Sequence, residues 1–596
     1  MNKRWRITPH DRERVERLVR GGLSPVVAQL LAARGVYTPE DAGRFLDTKL
    51  VHLRDPSELP GVPAAVERVV AAIDGGQPIL VYGDYDADGM TGAAILINGL
   101  RLAGAEVSYH VPNRLTDGYG LNADAIRKYA GRGVKLIVSV DCGIASIEEA
   151  ELAKELGVDL IVTDHHEFGD ELPAACAIVH PRLPGTSYPF GELCGAGVAF
   201  KLAWALAQRI SGDKKVTPAM RDYLMQSLSL AAIGTIADVV RLTDENRILV
   251  EHGLRMLQRS PLPGLAELMR LTKLDTQSKL TSDSVAFTLA PRLNAAGRLG
   301  QAQLAVELMT IPAGERAASL ADYLNELNSS RESLQRSVLS AAQKQAQNDF
   351  DVEADPALVL AGVGWHQGVI GIVAGKLADR YSRPVFVVSM DSAGRGAATG
   401  SGRVGDSGID LHLALGQCNE HLQRYGGHAK AAGLTIDERN LDAFRAAFCE
   451  AVTDQMSGEE IEGELRIDAE TPLGQLNLDV VRQIETMAPF GEGNPRPVLA
   501  SSNVELADVA GTMGGGNRHL SVRLKQGDRV VRAVAFGAAE WCDALNAVDG
   551  PIEIAYQPVI NEWNGYRNVE IHLKDWRIAA DTPKPFAADR AAAAPA

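Results

Sequence analysis

Short apolar runs alternate with amphipathic segments in the first part of the chain. Runs at residues 78–83, 107–111, 134–140 and 158–163 have the length and composition of buried strands, and the segments between them have helical spacing. Strands that are apolar throughout need cover on both faces, as in a parallel sheet with helices on each side. The pattern therefore predicts an α/β domain with a parallel sheet.

A long helix is predicted after this domain. Residues 193–310 are mainly helical in pattern, and residues 316–350 contain neither glycine nor proline. Leu320 and Leu324 belong to an apolar stripe at helical spacing in that segment. We predict one connecting helix over residues 313–354.

Two further units follow the long helix. A second α/β unit begins with apolar runs at 357–361 and 384–388. Beyond an acidic stretch at 459–470, which reads as a linker or a sheet edge, residues 500–578 alternate with a period of two. Asn564 and Gly565 form a typical hairpin turn within that region, so a small β barrel is predicted there.

Composition narrows the class of protein. The chain has 596 residues, and its 76 acidic residues against 60 basic ones give a net charge of −16. This balance argues against a general nucleic-acid binder, unless some of the carboxylates bind metal ions. Six cysteines without a C-x-x-C pair favour a reduced, cytoplasmic protein. No stretch has the length and apolarity of a membrane span.

Acidic residues and histidines follow three of the predicted strands. Asp84, Asp86 and Asp88 come after the first strand, Asp141 after the third, and Asp164-His165-His166 after the fourth. The carboxyl ends of parallel strands meet at one edge of a sheet, where ligands bind. A single aspartate at such a position is more often a helix cap, but all three strand ends together favour a metal site.

The residue types indicate which ion is bound. Clustered carboxylates repel one another unless a cation neutralises them. Oxygen ligands with one or two imidazoles suit Mn²⁺ or Mg²⁺ better than Zn²⁺. This many carboxylates would accommodate two ions about 3.5–4 Å apart, the arrangement that hydrolyses phosphate esters.

Four motifs in order resemble those of the DHH phosphoesterases. They are DYDADG at 84–89, DCG at 141–143, DHH at 164–166 and GTIADV at 234–239. Further motifs resemble those of the RecJ family of single-strand-specific exonucleases within that superfamily. These are PNRLTDGYG at 112–120, APRLNAAGRL at 290–299, GWHQGVIG at 364–371, GSGR at 400–403, GGHAKAAG at 426–433 and PFGEGNP at 489–495. The match covers nearly all of residues 60–500.

The resemblance implies an α/β fold. A parallel-sheet DHH domain would be joined by a long helix to a smaller α/β substrate-binding domain, followed by a C-terminal β-barrel OB-fold. The expected boundaries are a helical N-terminal segment at 1–60, the DHH catalytic domain at 61–312, the connecting helix at 313–354, the DHH-associated domain at 355–455, the OB-fold-like domain at 456–580 and a disordered tail at 581–596.

The resemblance also implies the reaction. The family degrades single-stranded DNA from the 5′ end to 5′-mononucleotides with two divalent ions, Mn²⁺ or Mg²⁺, in repair and recombination. The matching metal ligands are Asp86, Asp88, Asp141, His165 and Asp238. Asp84 is added because of its position beside them, and Asp141 is the natural bridge between two ions. His166 would contact the scissile phosphate, while Asp164 would orient His165 or cap a helix.

The second domain is expected to bind phosphate. By the family pattern, the terminal 5′-phosphate is held by Ser401, Arg403, Arg298 and Arg114, and His428 lies in a loop that permits close backbone approach. Val404 departs from the pattern, because the family usually has serine there. Glycine-rich loops are more often simple turns, so these assignments depend mainly on the resemblance.

Two other features leave alternatives open. Trp365 and His366 would stack on a base or pack in the core, and the core is the more common place for a tryptophan. Residues 516–532 carry five basic residues against one acidic residue. On a β barrel this is either a single-strand binding surface or an ordinary solvated face.

Two other functions compete with the exonuclease. A DHH hydrolase of small phosphates or short oligonucleotides would typically lack the region 500–578. A non-catalytic replication scaffold could lose the acidic cluster, which this chain retains. From the resemblance alone, the expected partners are single-stranded DNA, a single-strand-binding protein and a helicase, and the expected state is a monomer.

Overall fold

The computed structural model describes residues 4–114, 116–352, 354–391, 396–405, 407–456, 464–563 and 565–579. The chain divides into two compact units. The larger unit consists of the described residues within 48–461 and 489–494, and the smaller unit of those within 1–47, 462–488 and 495–596. Each unit is described separately below.

The N-terminal segment contains one strand in addition to the predicted helices. Its elements are β1 (Arg4–Ile7), α1 (Arg12–Arg20), α2 (Pro25–Ala32) and α3 (Pro39–Leu46). The charged sequence of β1 gives no apolar run by which to recognise a strand. It forms because it pairs in parallel with a distant segment of the smaller unit, Arg4 lying opposite Glu464.

The larger unit begins with the predicted parallel sheet. Its strands are β2 (Ile79–Gly83), β3 (Val107–His110), β4 (Leu136–Val140), β5 (Asp159–Thr163) and β6 (Ala177–Val179). The surrounding helices are α4 (Val62–Asp74), α5 (Ala87–Leu102), α6 (Ala123–Ala130) and α7 (Ile147–Glu155). All neighbouring strands pair in parallel in the order β3-β2-β4-β5-β6. The strands β2 and β4 are buried throughout, as their apolar runs predict.

A helical layer covers one side of this sheet. It contains α8 (Gly195–Ser211), α9 (Pro218–Ala237), α10 (Asp244–Arg259), α11 (Pro263–Leu271), α12 (Ser282–Ser284), a π-helical turn (Val285–Leu289), α13 (Ala290–Arg298) and α14 (Ala302–Thr310). The buried apolar residues of the sheet and of these helices form one continuous core. The helices α8 and α9 lie next to α5, the helix that follows the first strand end.

The predicted long helix is confirmed as α15 (Glu315–Asp349), which has 35 residues. It ends before Asp355-Pro356, where the sequence had placed its end. Phe350 leaves the helix in an extended conformation and packs against the core of the next domain. The helix thus ends five residues before the predicted residue 354, at a ring that is partly buried.

The second α/β domain has a mixed sheet. Its elements are β7 (Leu358–Val363), α16 (Gln367–Tyr381), β8 (Val385–Met390), β9 (Ala397–Arg403), α17 (Leu411–Gln417), β10 (Leu422–His428), β11 (Ala431–Asp437) and α18 (Leu441–Gln455). The strand order is β10-β11-β9-β8-β7, and only β7 and β8 pair in parallel. Trp365 packs against a core of this domain, as predicted, and His366 caps α16.

The smaller unit contains the predicted β barrel. Its elements are β12 (Glu464–Ile467), β13 (Ala469–Glu470), α19 (Leu478–Glu485), β14 (Leu499–Leu506), β15 (Gly511–Met513), β16 (His519–Gln526), β17 (Arg529–Ala535), α20 (Trp541–Asn546), β18 (Ile552–Trp563) and β19 (Tyr566–Ile578). The strands run β14-β18-β19-β17-β16, and β16 pairs back to β14, which closes the barrel.

Several sequence predictions concern residues outside those described. They are Asn564 of the hairpin turn, the first part of the acidic stretch 459–470, and the tail 581–596. The hairpin itself is confirmed, because Trp563 pairs with Tyr566 and Gly565 has a φ of 80°. Within the described ranges, all six cysteines are free. No described helix has the length and apolar composition needed to cross a lipid bilayer.

Candidate metal centre and phosphate pocket

Three strand ends meet at one edge of the parallel sheet. The backbone pairing continues one residue beyond each strand: Asp84 N donates to Val140 O, Asp141 N to Thr163 O, and Asp164 N to Val179 O. Asp84, Asp141 and Asp164 therefore stand side by side in a row. All three are buried, with exposures of 1–2%.

Asp141 occupies the centre of this row in an unusual backbone conformation. Its φ of 64° lies in the left-handed region, which aspartate and asparagine tolerate better than most residues. Gly195, the first residue of α8, leaves space for its carboxylate, since a Cβ atom there would lie 2.7 Å from Asp141 Oδ1. Such strain is typical of functional sites.

Asp86 and Asp88 are held by helix N-termini. Asp86 Oδ1 caps α5 by accepting hydrogen bonds from the backbone of Asp88 and Gly89, at 2.9 and 3.1 Å. Asp88 accepts from Gly195 N at 2.6 Å and from Ala196 N at 2.9 Å, at the start of α8. A helix cap and membership of the cluster are thus compatible, although the sequence presented them as alternatives.

His165 connects the carboxylates. Its Nε2 lies 3.1 Å from Asp141 Oδ1, 3.5 Å from Asp238 Oδ2 and 3.8 Å from Asp88 Oδ2. Potential ligand atoms within 4.8 Å of one another form three groups: Asp84, Asp86 and Asp141; Asp88, His165 and Asp238; and Asp141, His165 and His166. All six predicted metal ligands are therefore brought together, and Asp141 belongs to two of the groups.

The protonation chemistry of these residues fits a cation. Asp84 Oδ1, Asp141 Oδ1 and His165 Nε2 are buried without a hydrogen-bond partner among the described residues. Burial, reinforced by neighbouring carboxylates, raises the pKa of Asp84 and Asp141, and raises that of Asp238 to about 9. Burial lowers the pKa of His165 to about 4, which keeps its nitrogen lone pair available. A divalent cation would satisfy both the carboxylates and the imidazole.

Asp164 orients the ring of His166, whereas the sequence indicated His165. Asp164 Oδ1 lies 2.8 Å from His166 Nδ1 and also accepts from the backbone N–H of both histidines. Tyr119, which the sequence did not single out, brings its hydroxyl within 3.0 Å of His166 Nδ1. Its position in the motif at 112–120 was the available signal.

Predicted arginines gather between the parallel-sheet domain and the mixed-sheet domain of the larger unit. Arg298, at the end of α13, donates to Gly368 O at 3.2 Å, and Arg403 donates to Ser401 Oγ at 3.2 Å. Gly371 in α16 makes room for this pair, because a Cβ atom there would lie 2.9 Å from Ser401 Oγ. The fourth predicted residue, Arg114, stacks on Tyr85 at 5.0 Å.

These arginines form a partly buried cluster of positive charge, in which Arg114 is exposed. Burial, and then the charges of Arg114, Arg331 and Arg403, lower the pKa of Arg298 to about 10. Among the described residues, neither Arg298 nor Arg403 forms an ion pair with a carboxylate. Arg331 of α15 is a member that sequence reasoning missed, because nothing local distinguishes it from other charged helix residues. Guanidinium groups placed together in this way suit a phosphate.

His428 and Val404 occupy different environments. His428 is exposed and lines a cavity of about 600 Å³ together with His165 and His166. Val404 is 3% exposed and packs in the core of the second domain. Its side chain is therefore a packing element, which explains how valine is accommodated at this position.

A second cavity of about 450 Å³ lies beside the loop that follows α9. Its lining includes Val239, Phe287, Arg298 and Arg331. Phe287, in the π-helical turn, is 78% exposed. The backbone N–H of Leu242 in this loop donates to Glu492 O at 2.7 Å, so the motif at 489–495 supports the loop.

The barrel surface is less positively charged than its sequence predicts. Arg532 pairs with Glu570 at 2.6 Å and Arg523 lies 3.7 Å from Asp508. Beside them, an aromatic trio consists of Phe536, which is 62% exposed, with the rings of His519 and His572 at 5.4 and 5.0 Å. The period-two pattern did not reveal this trio.

Three family models match the chain. The DHH family N-terminal domain matches residues 78–235, the DHHA1 domain matches 354–454, and the RecJ OB domain matches 467–575. These ranges cover the parallel-sheet domain, the mixed-sheet domain and the barrel respectively. The match to the RecJ OB domain favours the exonuclease over a small-phosphate hydrolase.

Curated relatives match over almost the whole chain. The single-stranded-DNA-specific exonuclease RecJ of Bacillus subtilis is 37% identical over 97% of this chain and 71% of its own length. The protein of that name in Salmonella typhimurium is 35% identical over 93% of this chain and 96% of its own length.

A solved structure matches as well. RecJ from Thermus thermophilus in complex with Mn²⁺ has a TM-score of 0.81 and 32% identity, covering 98% of this chain and 80% of its own. A structure of the Thermus protein with Mg²⁺ matches with a TM-score of 0.73. The fold, the clustered acidic and histidine residues and the relatives agree, and the chain belongs to the RecJ family of single-stranded-DNA-specific exonucleases.

Proposed function

We propose that this protein degrades single-stranded DNA from the 5′ end to 5′-mononucleotides, with two divalent ions, Mn²⁺ or Mg²⁺. The observation that carries the proposal is the carboxylate and histidine cluster, in which Asp84 Oδ1, Asp141 Oδ1 and His165 Nε2 are buried without partners within the described part of the chain. The arginine cluster in the same unit adds a place for a second phosphate. Repair and recombination are the processes in which we expect this reaction.

The metal ligands in this proposal are Asp84, Asp86, Asp88, Asp141, His165 and Asp238. Asp141 would be shared between the two ions, since it belongs to two of the donor groups. When bound, such ions lower the pKa of coordinated water and neutralise charge on the phosphodiester. The chain contributes by fixing these ligands: helix N-termini hold Asp86 and Asp88, and the left-handed backbone of Asp141 directs its carboxylate into the cluster.

His166 would contact the scissile phosphate. Asp164 fixes one ring nitrogen of His166 at 2.8 Å, so that the imidazole keeps one orientation toward the 600 Å³ cavity that it lines. A held imidazole N–H is a suitable donor to a non-bridging phosphate oxygen. Tyr119, which lies beside the ring, would limit its rotation.

The arginine cluster would set the polarity of cleavage. Arg298, Arg403, Ser401 and Arg114 offer donors for a terminal phosphate, which carries more negative charge than an internal phosphodiester. His428, across the cavity from the histidine pair, would bind the same strand end. Selection of a 5′-phosphorylated end would follow from these contacts.

The barrel would bind the single strand. Phe536 is an exposed ring on which a base can stack, and Arg518 and Lys525 are exposed basic side chains of the same unit. A monomeric state, a cytoplasmic location, and cooperation with a single-strand-binding protein and a helicase remain predictions from the family.

The test is the digestion of labelled DNA substrates. Single-stranded and double-stranded oligonucleotides with 5′-phosphate or 5′-hydroxyl ends are incubated with Mn²⁺, Mg²⁺ or EDTA. We expect mononucleotides to be released progressively from 5′-phosphorylated single strands, and no cleavage in EDTA. Release from the 3′ end, or products longer than a mononucleotide from the first cleavage, would contradict the proposal.

A further inference from the structure

The turn that contains His165 and His166 is held by side chains on both sides. It follows β5 and belongs to no helix or strand, so its backbone groups need other partners. Asp164 accepts from the two histidine N–H groups, at 2.7 and 3.2 Å. The two carbonyl oxygens point to the next strand of the sheet, where the chain continues as His180-Pro181-Arg182.

His180 holds the carbonyl oxygen of His166. It is the residue after β6 and extends the row of Asp84, Asp141 and Asp164 by one place. Its Nε2 lies 2.9 Å from His166 O, and its Nδ1 lies 3.0 Å from the backbone nitrogen of Arg182. A carbonyl only accepts and a backbone N–H only donates, so both partners require the same neutral tautomer, with the proton on Nε2.

Arg182 holds the other carbonyl oxygen. Its guanidinium Nη2 donates to His165 O at 2.6 Å, and the side chain lines the 600 Å³ cavity beside both histidines. His180 is completely buried, and the ring of Phe168 packs edge-on against it at 5.3 Å. The backbone of the turn therefore has side-chain partners on all four of its polar groups at residues 165 and 166.

We propose that His180 and Arg182 are positioning residues for the metal centre. His165 Nε2 lies 3.1 Å from Asp141 Oδ1, and a small rotation of the turn would move it out of reach of the shared ion site. Some groups orient a metal ligand without touching the metal. Their removal commonly lowers metal affinity or activity about 10–100-fold. No family motif quoted above contains either residue. The inference rests on the proposed function only in assigning the metal ions to this cluster.

The first test compares His180→Leu with His180→Gln. Leucine fills similar space and removes both hydrogen bonds, whereas the glutamine amide reaches the position of Nε2 and still offers a donor to His166 O. Mn²⁺ binding is measured by isothermal titration calorimetry, and kcat and KM are measured on 5′-phosphorylated single-stranded DNA. Thermal melting in EDTA shows whether each variant is folded.

We expect His180→Leu to weaken Mn²⁺ binding about 10–100-fold and to lower kcat, with little change in KM, and His180→Gln to retain most of both. Wild-type Mn²⁺ affinity in a folded His180→Leu protein would overturn the proposal for His180. Arg182→Met, at an exposed position, applies the same measurement to the residue that holds His165 O. It tests whether the turn positions the metal ligand even if His180→Leu does not fold. Unchanged Mn²⁺ affinity in Arg182→Met would overturn its positioning role.

The calorimetric measurement is independent of the DNA reaction. If the wild-type protein binds Mn²⁺ but cleaves no DNA, the proposed nuclease function fails, while the comparison of Mn²⁺ affinities still tests the positioning residues. A matched surface control is His421→Leu, in the 3₁₀ turn before β10, which should leave Mn²⁺ affinity unchanged.

Discussion

The carboxylate cluster and the arginine cluster of the larger unit are built in opposite ways for related purposes. Each gathers like charges, the carboxylates in a buried place and the arginines in a partly buried one, and each lacks enough countercharge of its own. The carboxylates come mainly from the ends of adjacent strands of one sheet. The arginines come from a loop, from α13, from the long helix α15 and from β9.

This difference shows what each cluster requires of the fold. Parallel strands bring their ends together automatically, so the metal site depends on one sheet and the helices that support it. The arginine cluster depends on two domains and the helix between them. We expect each cluster to be stabilised by a ligand of opposite charge, a divalent cation in one case and a phosphate in the other.

The largest expected effect comes from the centre of the carboxylate cluster. Asp141→Asn keeps a residue that tolerates the left-handed backbone but removes the negative charge shared by two donor groups. Loss of about 4 kcal/mol of stabilisation at the reacting phosphate would lower kcat about 10³-fold. Single-turnover cleavage measures this effect, with Asp124→Asn on exposed α6 as the control. Near-normal turnover in Asp141→Asn would contradict the metal-centre assignment.

Removal of the cation should make the stability of the protein depend on the protonation of the same cluster. In the cation-free protein, burial and then Asp88 and Asp86 raise the pKa of Asp238 from 3.8 to about 9. A carboxyl with a raised pKa stabilises the fold while protonated, and this contribution is lost as pH rises from the ordinary range toward the raised value.

The melting temperature in EDTA should therefore fall between about pH 5 and pH 9, and Mg²⁺ should reduce that fall. At 100 times its dissociation constant, a bound ion adds about 2.7 kcal/mol to the free energy of unfolding. Differential scanning calorimetry with and without Mg²⁺ measures both effects. Identical pH profiles in the two conditions would show that these carboxylates bind no cation.

In the arginine cluster the effect should appear as lost selectivity. Arg403→Gln removes one charged donor, and such a hydrogen bond contributes about 2 kcal/mol, or about 30-fold in the preference for 5′-phosphate over 5′-hydroxyl ends. Competition between the two substrates measures this ratio, and Arg380→Gln on the exposed side of α16 is the matched control. An unchanged ratio would remove Arg403 from the phosphate pocket.

In the barrel, an effect on DNA affinity alone is expected. Phe536→Ala removes an exposed ring that would stack on one base, which is worth about 1–3 kcal/mol. Affinity for a long single strand, measured in EDTA by fluorescence anisotropy, should fall accordingly, while cleavage of a trinucleotide stays unchanged. The control is Val509→Ala, another exposed apolar residue of the same unit. Equal losses in the two variants would argue against a stacking site.

The smallest functional effect is expected at Val404. Because this side chain packs in the domain core, Val404→Ser should lower the free energy of unfolding by about 1–2 kcal/mol without changing the selection of 5′-phosphate ends. Chemical denaturation and the same end competition measure the two quantities. Improved phosphate selection would mean that a hydroxyl at this position reaches the ligand.

The sequence predicted those parts of the fold that depend on local pattern. Apolar runs located β2, β4 and β5, and the absence of glycine and proline located α15. The strand β1 escaped prediction because its four residues, RWRI, acquire strand conformation only through a partner more than 450 positions away. The end of α15 likewise coincides with a tertiary contact, that of the Phe350 ring.

The same distinction applies to the sites. The proposed metal ligands at the strand ends were predictable because strand ends converge, and the family motifs pointed to Asp238, Arg298 and Arg403. Arg331 and His180 could not be predicted. An arginine in a charged helix and a single histidine before a proline carry no local signal. The basic stretch at residues 516–532 predicted a more positive barrel surface than the structure has, because Arg532 is neutralised by Glu570 from another strand.

The left-handed backbone of Asp141 also has an evolutionary consequence. Most substitutions there would strain the turn as well as remove a charge, but asparagine would fit the same conformation. A single-nucleotide change from aspartate to asparagine would thus abolish catalysis while leaving the fold intact. Descendants of such a protein could keep a DNA-binding shape without the reaction, and residue 141 is the position at which that divergence would be simplest to detect.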